Sequence, residues 1–326
     1  MIISDWNSDL DAYNIPDTIV SKLKVKYGLD MIYASDAKES HLKKAAIYMG
    51  NIPSTNFLDQ IPNLSWVHFG SSGIDKLPRK YIEERSLTIT NIGDINVRPL
   101  AIFILGELIS STKKNFIKKS KIHSASLTRK DFNKYFSFFL EPDELKIGIL
   151  GYGKTSKVLT DYLNSIFSQK INILSSQDLK NTQSISFYKK NQVKEFLKNL
   201  THLVNLLPLN PDTDSFFDNN FIRHIDKPIY YINAGRAETH NNSDLFNAAM
   251  SGKIWGASID VHGLPGGKMT KEFNNLDNFF LTPHIAGWTN KFWIKNEKFI
   301  DQNITHFLNN DYSRMKNVLY IQGQPK

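Results

Sequence analysis

The sequence offers its first chemistry at a pair of glycines. Lys146 to Leu150 form a short apolar run that leads directly into Gly151-Tyr152-Gly153-Lys154-Thr155-Ser156, and Val158 to Phe167 continue as a helix-like segment. Strand, glycine turn and helix in that order make an anion site. Gly151 permits the tight turn, Gly153 lets the backbone approach a pyrophosphate, and the amides and dipole at the helix start favour negative charge. Lys154 adds a cation beside Thr155 at the helix start. Ser156 takes the place of a third glycine, whose usual task is close packing of helix on strand. The same stretch also reads as an ordinary glycine turn, so both readings stand at this point.

In dinucleotide folds an acid about 20 residues beyond the glycines receives the ribose 2′-hydroxyl of NAD. Here Ser175, Ser176 and Gln177 follow the run Ile171 to Leu174, Asp178 comes too late, and Lys180 lies a little further on. Without the carboxylate nothing repels a 2′-phosphate, and hydroxyls with a nearby lysine suit one, so the residues favour NADP over NAD. Ser175 and Ser176 are equally suited to starting a turn. The complete absence of cysteine removes disulfides, thiolate metal sites and thiol nucleophiles together, and no bound metal is expected.

Such a site needs parallel strands with helices between them, and the chain carries two series of that kind. From residue 1 to about 95, the runs MIISDW, DMIYAS, AAIYMG, LSWVHFG and LTITNIG alternate with helix-like segments such as Thr18 to Tyr27. A second series starts at Leu145 with KIGIL, INILS, HLVNLLPL, IYYINAG, WGASIDV and NFFLTPH. Alternation of strands and helices means α/β units with ligands gathered beyond the carboxyl ends of the strands, where Ser71-Ser72-Gly73 also falls. A helical pattern from about Pro99 to Lys114 reads as a crossing between domains, and a basic, polar segment runs from Lys118 to Phe139. Asn290 to Asn310 places Phe292, Phe299, Ile300, Ile304, Phe307 and Leu308 at helical spacing, an amphipathic helix expected to pack back onto the first domain.

Length and composition agree with two cores. The 326 residues exceed one ordinary domain, and 21 Phe, 13 Tyr and 5 Trp provide ample apolar material. The apolar stretch Leu100 to Ile109 is short for a membrane span and contains Glu107, so no membrane partner is expected. The opening residues suit a first strand better than a secretory signal, which makes the cytoplasm the expected location. A net charge of +8 attracts anions, but the lysines are spread along the chain and mixed with acids, so no nucleic-acid partner is expected.

Taken together, LGYGKTS, VNLLPLNPDTDSFF, YINAGRAETHNNSDLFNAAMSGKIWGASIDV and FFLTPHIAGWT resemble the D-2-hydroxyacid dehydrogenases, a family that includes glyoxylate/hydroxypyruvate reductases and phosphoglycerate dehydrogenases. NLSWVHFGSSGID and LTITNIGDINVRPLA extend the resemblance over nearly the whole chain. It implies a Rossmann dinucleotide-binding domain, residues 98–289, inserted into a flavodoxin-like substrate domain, residues 1–97 with the C-terminal helix 290–326. It also implies NAD(P) bound between the halves, a small 2-oxo or 2-hydroxy acid as substrate, and a homodimer.

The resemblance maps the substrate arginine onto Arg236, whose guanidinium can grip a carboxylate through two parallel hydrogen bonds and polarise the adjacent carbonyl. The acid/base histidine falls on His284, able to protonate a ketone oxygen as hydride arrives. Asp260 matches the aspartate near the nicotinamide carboxamide, with a capping or turn role as its alternative. Pro208, Ala234 and Gly235 would line the cofactor, the amides of Ser72 and Gly73 resemble the clamp for the substrate carboxylate, and Trp288 would close the pocket or belong to the core.

One departure bears on activity. The family pairs the histidine with a glutamate four residues after the aspartate, and that position is Leu264; Glu272 is the nearest downstream acid. Loss of the carboxylate would weaken the imidazolium. Ala237, His240 and Asn241 also depart from the family pattern and suggest an altered rim. The leading expectation is an NAD(P)-dependent oxidoreductase, the alternative a catalytically impaired dinucleotide-binding regulatory or interaction protein on the same fold.

Overall fold

The computed structural model describes residues 1–7, 13–51, 54–75, 77–112, 140–168, 170–261, 273, 276 and 279–326. Lys118 to Phe139, Leu264 and Glu272 lie outside them. The described chain divides into two compact units, residues 1–96 with 289–326 and residues 97–288.

Unit 1 is built on five parallel strands, β1 (Ile2–Ser4), β2 (Met31–Tyr33), β3 (Ile47–Gly50), β4 (Trp66–Phe69) and β5 (Thr88–Asn91), in the spatial order β2-β1-β3-β4-β5. Helices α1 (Asp17–Tyr27), α2 (Glu39–Leu42), α3 (Thr55–Leu58) and α4 (Arg79–Glu84) join them. β3, β4 and β5 are buried at every position, which a parallel sheet covered on both faces requires. Strand periodicity sorts the side chains between the faces: Ile3, Tyr48, Val67 and Phe69 enter one core, while Ile2, Ile47, Met49 and Trp66 enter the other.

Unit 2 begins with helix α5 (Val97–Thr112) and continues with β6 (Ile147–Leu150), α6 (Lys154–Ile166), β7 (Ile171–Leu174), β8 (Ile185–Tyr188), α7 (Val193–Leu197), β9 (His202–Asn205), α8 (Asn219–Ile222), β10 (Ile229–Asn233), α9 (Asn242–Met250), β11 (Ile254–Ile259) and β12 (Phe279–Leu281). All seven strands are parallel, in the order β8-β7-β6-β9-β10-β11-β12. The order reverses between β6 and β9, the switch point where doubly wound sheets receive ligands. Ala101, Ile104 and Leu108 of α5 and Leu159 and Leu163 of α6 cover one face; Phe196, Phe221 and Leu245 from α7, α8 and α9 cover the other.

Three features differ from the sequence reading. β8 was not anticipated. The helix of unit 1's last segment, α10 (Phe292–Leu308), is followed by β13 (Val318–Ile321), antiparallel to β5, and β14 (Gln324–Pro325), so residues 290–326 are more than a helix. The apolar run around α5 is longer than Leu100 to Ile109: Gly93–Thr112 is the only stretch among the described residues with the length and hydropathy of a membrane span. The buried Ala101, Ile104, Leu108 and Ser111 nevertheless give α5 a core-facing side.

Candidate active site

In unit 2 the site residues singled out from the sequence that lie among the described ones stand at the carboxyl edge of the sheet or in the loop beyond it. Across the edge the order is Ser175 after β7, Gly151 after β6, Pro208 beyond β9, Arg236 after β10, Asp260 after β11 and His284 after β12. At about 4.8 Å per strand, roughly 19 Å separates the end of β7 from that of β11. The glycine loop and the histidine therefore lie at different stations of one row, as an extended two-part ligand requires.

The glycine loop is shaped by close backbone contact on one side and open space on the other. Gly151 adopts φ +90°, and a Cβ there would lie 3.2 Å from the Leu206 carbonyl. Gly153 starts α6, and a Cβ there would meet nothing within 4 Å. The protein's own packing thus supplies no reason for glycine at 153; a group approaching from outside would. Gly153 gives α6 no side-chain cap, and the partial positive charge at the start of the helix favours an anion there. Lys154 is exposed and Thr155 half-buried beside them. Ser156 is buried and donates its hydroxyl to the Gly151 carbonyl at 2.8 Å, tying the turn that a third glycine would only accommodate.

Beyond β7, the Ser175 hydroxyl accepts from the Gln177 amide at 3.2 Å, the turn-starting role left open above. Ser176 is exposed. The cation at this loop is Lys189, from the residue after β8, whose ammonium donates to the carbonyls of Ser176 and Gln177 at 3.1 and 2.8 Å and to Asp178 at 2.6 Å. That hydrogen bond and charge hold the Asp178 carboxyl below its ordinary range. Sequence reading pointed to Lys180, because β8 had not been recognised.

After β9 and β10 two turns press backbone to backbone. A Cβ on Gly235 would lie 2.8 Å from the Leu207 carbonyl, so only glycine fits. Asn205 and Asn233, both fully buried, hold these turns: Asn205 Oδ1 accepts from Leu207 N at 3.1 Å, and Asn233 Oδ1 accepts from Gly235 N at 3.0 Å. Asn233 also donates to the Arg236 carbonyl and to His240 Nδ1, whose other nitrogen faces Asn242 Oδ1 at 2.9 Å. Burial lowers His240 to a pKa of about 4, so it is a neutral strut beneath the turn rather than part of a rim. Asn241 accepts from Asp244 N as the cap of α9. Arg236 is half-buried, with Nη1 on the Gly235 carbonyl at 2.9 Å; Ala234 is buried and Pro208 exposed.

Asp260 is buried and its carboxylate accepts three hydrogen bonds. One oxygen accepts from Thr282 Oγ1 at 2.6 Å and Ile285 N at 2.9 Å, the other from Ala286 N at 3.1 Å. The Asp260 carbonyl accepts from His284 N at 3.0 Å. Together these hold His284, which is exposed, at φ +59°, a left-handed conformation costing about 1–3 kcal/mol in a residue with a side chain. Trp288 is half-buried, its backbone N–H on the Ile285 carbonyl.

Residues 114–286, just over half of the chain, match the NAD-binding domain of D-isomer specific 2-hydroxyacid dehydrogenases. The chain belongs to that family. It is 24% identical over 251 residues to a putative D-3-phosphoglycerate dehydrogenase of Schizosaccharomyces pombe, an alignment covering 73% of this chain and 52% of that protein, so it spans about half that relative's length. Among solved structures it resembles the D-lactate dehydrogenase of Aquifex aeolicus complexed with NAD and lactic acid, at TM-score 0.81 and 18% identity, covering 98% of this chain and 99% of that one. It also resembles an NADPH-dependent glyoxylate/hydroxypyruvate reductase of Sinorhizobium meliloti in complex with NADP and sulfate, at TM-score 0.74 and 18% identity, covering 99% of both. The family fold is thus the fold of this chain, and its nucleotide is of the NAD(P) class. The open face of Gly153 over uncapped amides fits such a group.

In unit 1, Ser72 and Gly73 form the turn after β4. Among the described residues no acceptor faces their N–H groups, and the Ser72 carbonyl is held by Asn91.

Proposed function

We propose that the protein interconverts a small 2-oxo acid and its D-2-hydroxy acid with NAD(P)H. The observation that carries this reading is His284, locked by Asp260 into a strained backbone on the same sheet edge as Arg236 and the uncapped glycine loop. Strain kept in place by four hydrogen bonds is the mark of a residue whose position matters. Family membership supports the reaction class. Bound dihydronicotinamide supplies the hydride that the carbonyl carbon receives.

Arg236 holds the substrate carboxylate and polarises the neighbouring carbonyl. His284 as imidazolium gives its proton to the carbonyl oxygen, leaving the alcohol and a neutral ring; in the reverse direction it takes that proton back. Gly151, Gly153, Lys154 and Thr155 receive the pyrophosphate, with Ala234, Gly235 and Pro208 along the cofactor, and Trp288 shields the pocket. Asp260 acts on His284 through the loop and has a lone pair left for a carboxamide. Unit 1 contributes the Ser72 and Gly73 amides as carboxylate donors. His284→Asn tests the assignment: turnover falls at least a thousandfold with NADPH affinity kept, and a variant of full activity refutes it.

NADP is our assignment for the preferred cofactor. Its support is the absence of a carboxylate at residue 175 and the ammonium of Lys189 on the adjoining loop, which would exchange Asp178 for the phosphate. A homodimer in the cytoplasm is the assembly and location we assign; sedimentation at twice the 37.4 kDa chain mass checks the former.

A further inference from the structure

Asn91 is the last residue of β5 and pairs with Phe69, the last residue of β4, so its side chain stands where the turns leaving the two strands meet. It is only 5% exposed. Its amide nitrogen donates to the Ser72 carbonyl at 2.6 Å, and its amide oxygen accepts from Gly93 N at 2.8 Å. The Ser72 hydroxyl returns a bond to the Gly93 carbonyl at 3.1 Å, and the Ser71 hydroxyl closes its own turn on the Gly73 carbonyl at 2.8 Å. Gly93 sits at φ +58°, with the Asn317 side chain where a Cβ would be, and Asn91 N donates to the Asn317 carbonyl. The turn is therefore fixed from behind, through its carbonyls, while among the described residues the Ser72 and Gly73 amides meet no acceptor.

We infer that Asn91 is the positioning residue of the carboxylate-binding turn of unit 1: by gripping the Ser72 carbonyl and the Gly93 amide together, it fixes the peptide planes that aim the Ser72 and Gly73 N–H groups at the substrate anion. This rests on the carboxylate role given to that turn above. The chemistry demands an amide at residue 91. Aspartate keeps the bond from Gly93 N but sets a second acceptor against the Ser72 carbonyl and brings negative charge to an anion site. Leucine, of nearly the same shape, leaves both backbone groups unpaired.

The test is titration of the full chain, with NADPH bound, by oxamate, an unreactive analogue carrying a carboxylate beside a carbonyl. Asn91→Leu is expected to raise the oxamate Kd about tenfold, as loss of two neutral hydrogen bonds implies. Asn91→Asp raises it further, in a salt-dependent way. In both, NADPH affinity stays within twofold and the loss falls on KM for a 2-oxo acid rather than on kcat, a split that general loosening of the fold would not produce. Should neither variant fold, Ser72→Gly, which keeps both amides and removes only the bond to the Gly93 carbonyl, is expected to raise the oxamate Kd two- to threefold. Oxamate binding indifferent to these substitutions overturns the positioning role alone. Wild-type protein that binds NADPH but no oxamate removes the carboxylate role of the turn, and the inference with it.

Discussion

Gly153 and Gly235 stand at the same edge of one sheet but are glycines for different reasons. At Gly235 the protein itself forbids a side chain, because a Cβ would lie 2.8 Å from the Leu207 carbonyl. Gly235→Ala is therefore expected to destabilise unit 2 by about 1–3 kcal/mol in denaturant titration. At Gly153 the space is empty. Gly153→Ala should leave stability within about 0.5 kcal/mol, the range of an unobtrusive surface change, while NADPH affinity falls at least tenfold; unchanged affinity would contradict a pyrophosphate at the loop. The glycine turn was legible in the sequence because strand, turn and helix are contiguous. The hold of Asp260 on residues 282 to 286 was not, since it spans more than twenty residues and depends on a loop conformation that no local pattern encodes. His240 misled for a related reason: its burial comes from packing under the turn of Asn233 to Arg236, which the order of residues along the chain does not display.

At the scale of elements, the central strands announce themselves as short apolar runs because parallel strands are covered on both faces. β8 and β13 did not; both are only partly buried in the structure, and Ser186 interrupts the apolar run of β8. Missing β8 meant missing Lys189, which reaches the loop after β7 only because the two strands are neighbours. Lys189→Gln is expected to raise the Kd for NADPH about tenfold and that for NADH less than twofold, measured by fluorescence titration. Equal effects on both nucleotides would remove Lys189 from the 2′-phosphate. α5 makes the same point from the opposite side: an apolar helix of this length is ambiguous in sequence, and its core-facing residues Ala101, Ile104 and Leu108 emerge only from the fold.

At the scale of the whole molecule, the three histidines buried among the described residues make folding sensitive to acid. Burial lowers His68 and His240 to a pKa of about 4 and His202 to about 3. His68 belongs to unit 1, His202 and His240 to unit 2. The unfolded chain takes up protons on these groups near pH 6.5, where the native protein does not. Their contribution to stability is complete above that pH and is lost as pH falls toward about 4, by about 1.4 kcal/mol per pH unit for each histidine. Unfolding midpoints between pH 7 and 5 should decline accordingly, and His202→Gln should flatten the slope; a midpoint independent of pH over that interval would show that the histidines are not buried as described.

Catalysis by His284 is decided by NADPH and NADH oxidation with glyoxylate, hydroxypyruvate and larger 2-oxo acids from pH 5 to 8, for the wild type and His284→Asn. Turnover is expected with at least one 2-oxo acid, at a rate that rises as pH falls and the imidazolium form of His284 fills, and is expected to be lost in the variant. Dinucleotide binding without turnover at any pH, or equal rates in the two proteins, would contradict catalysis by His284.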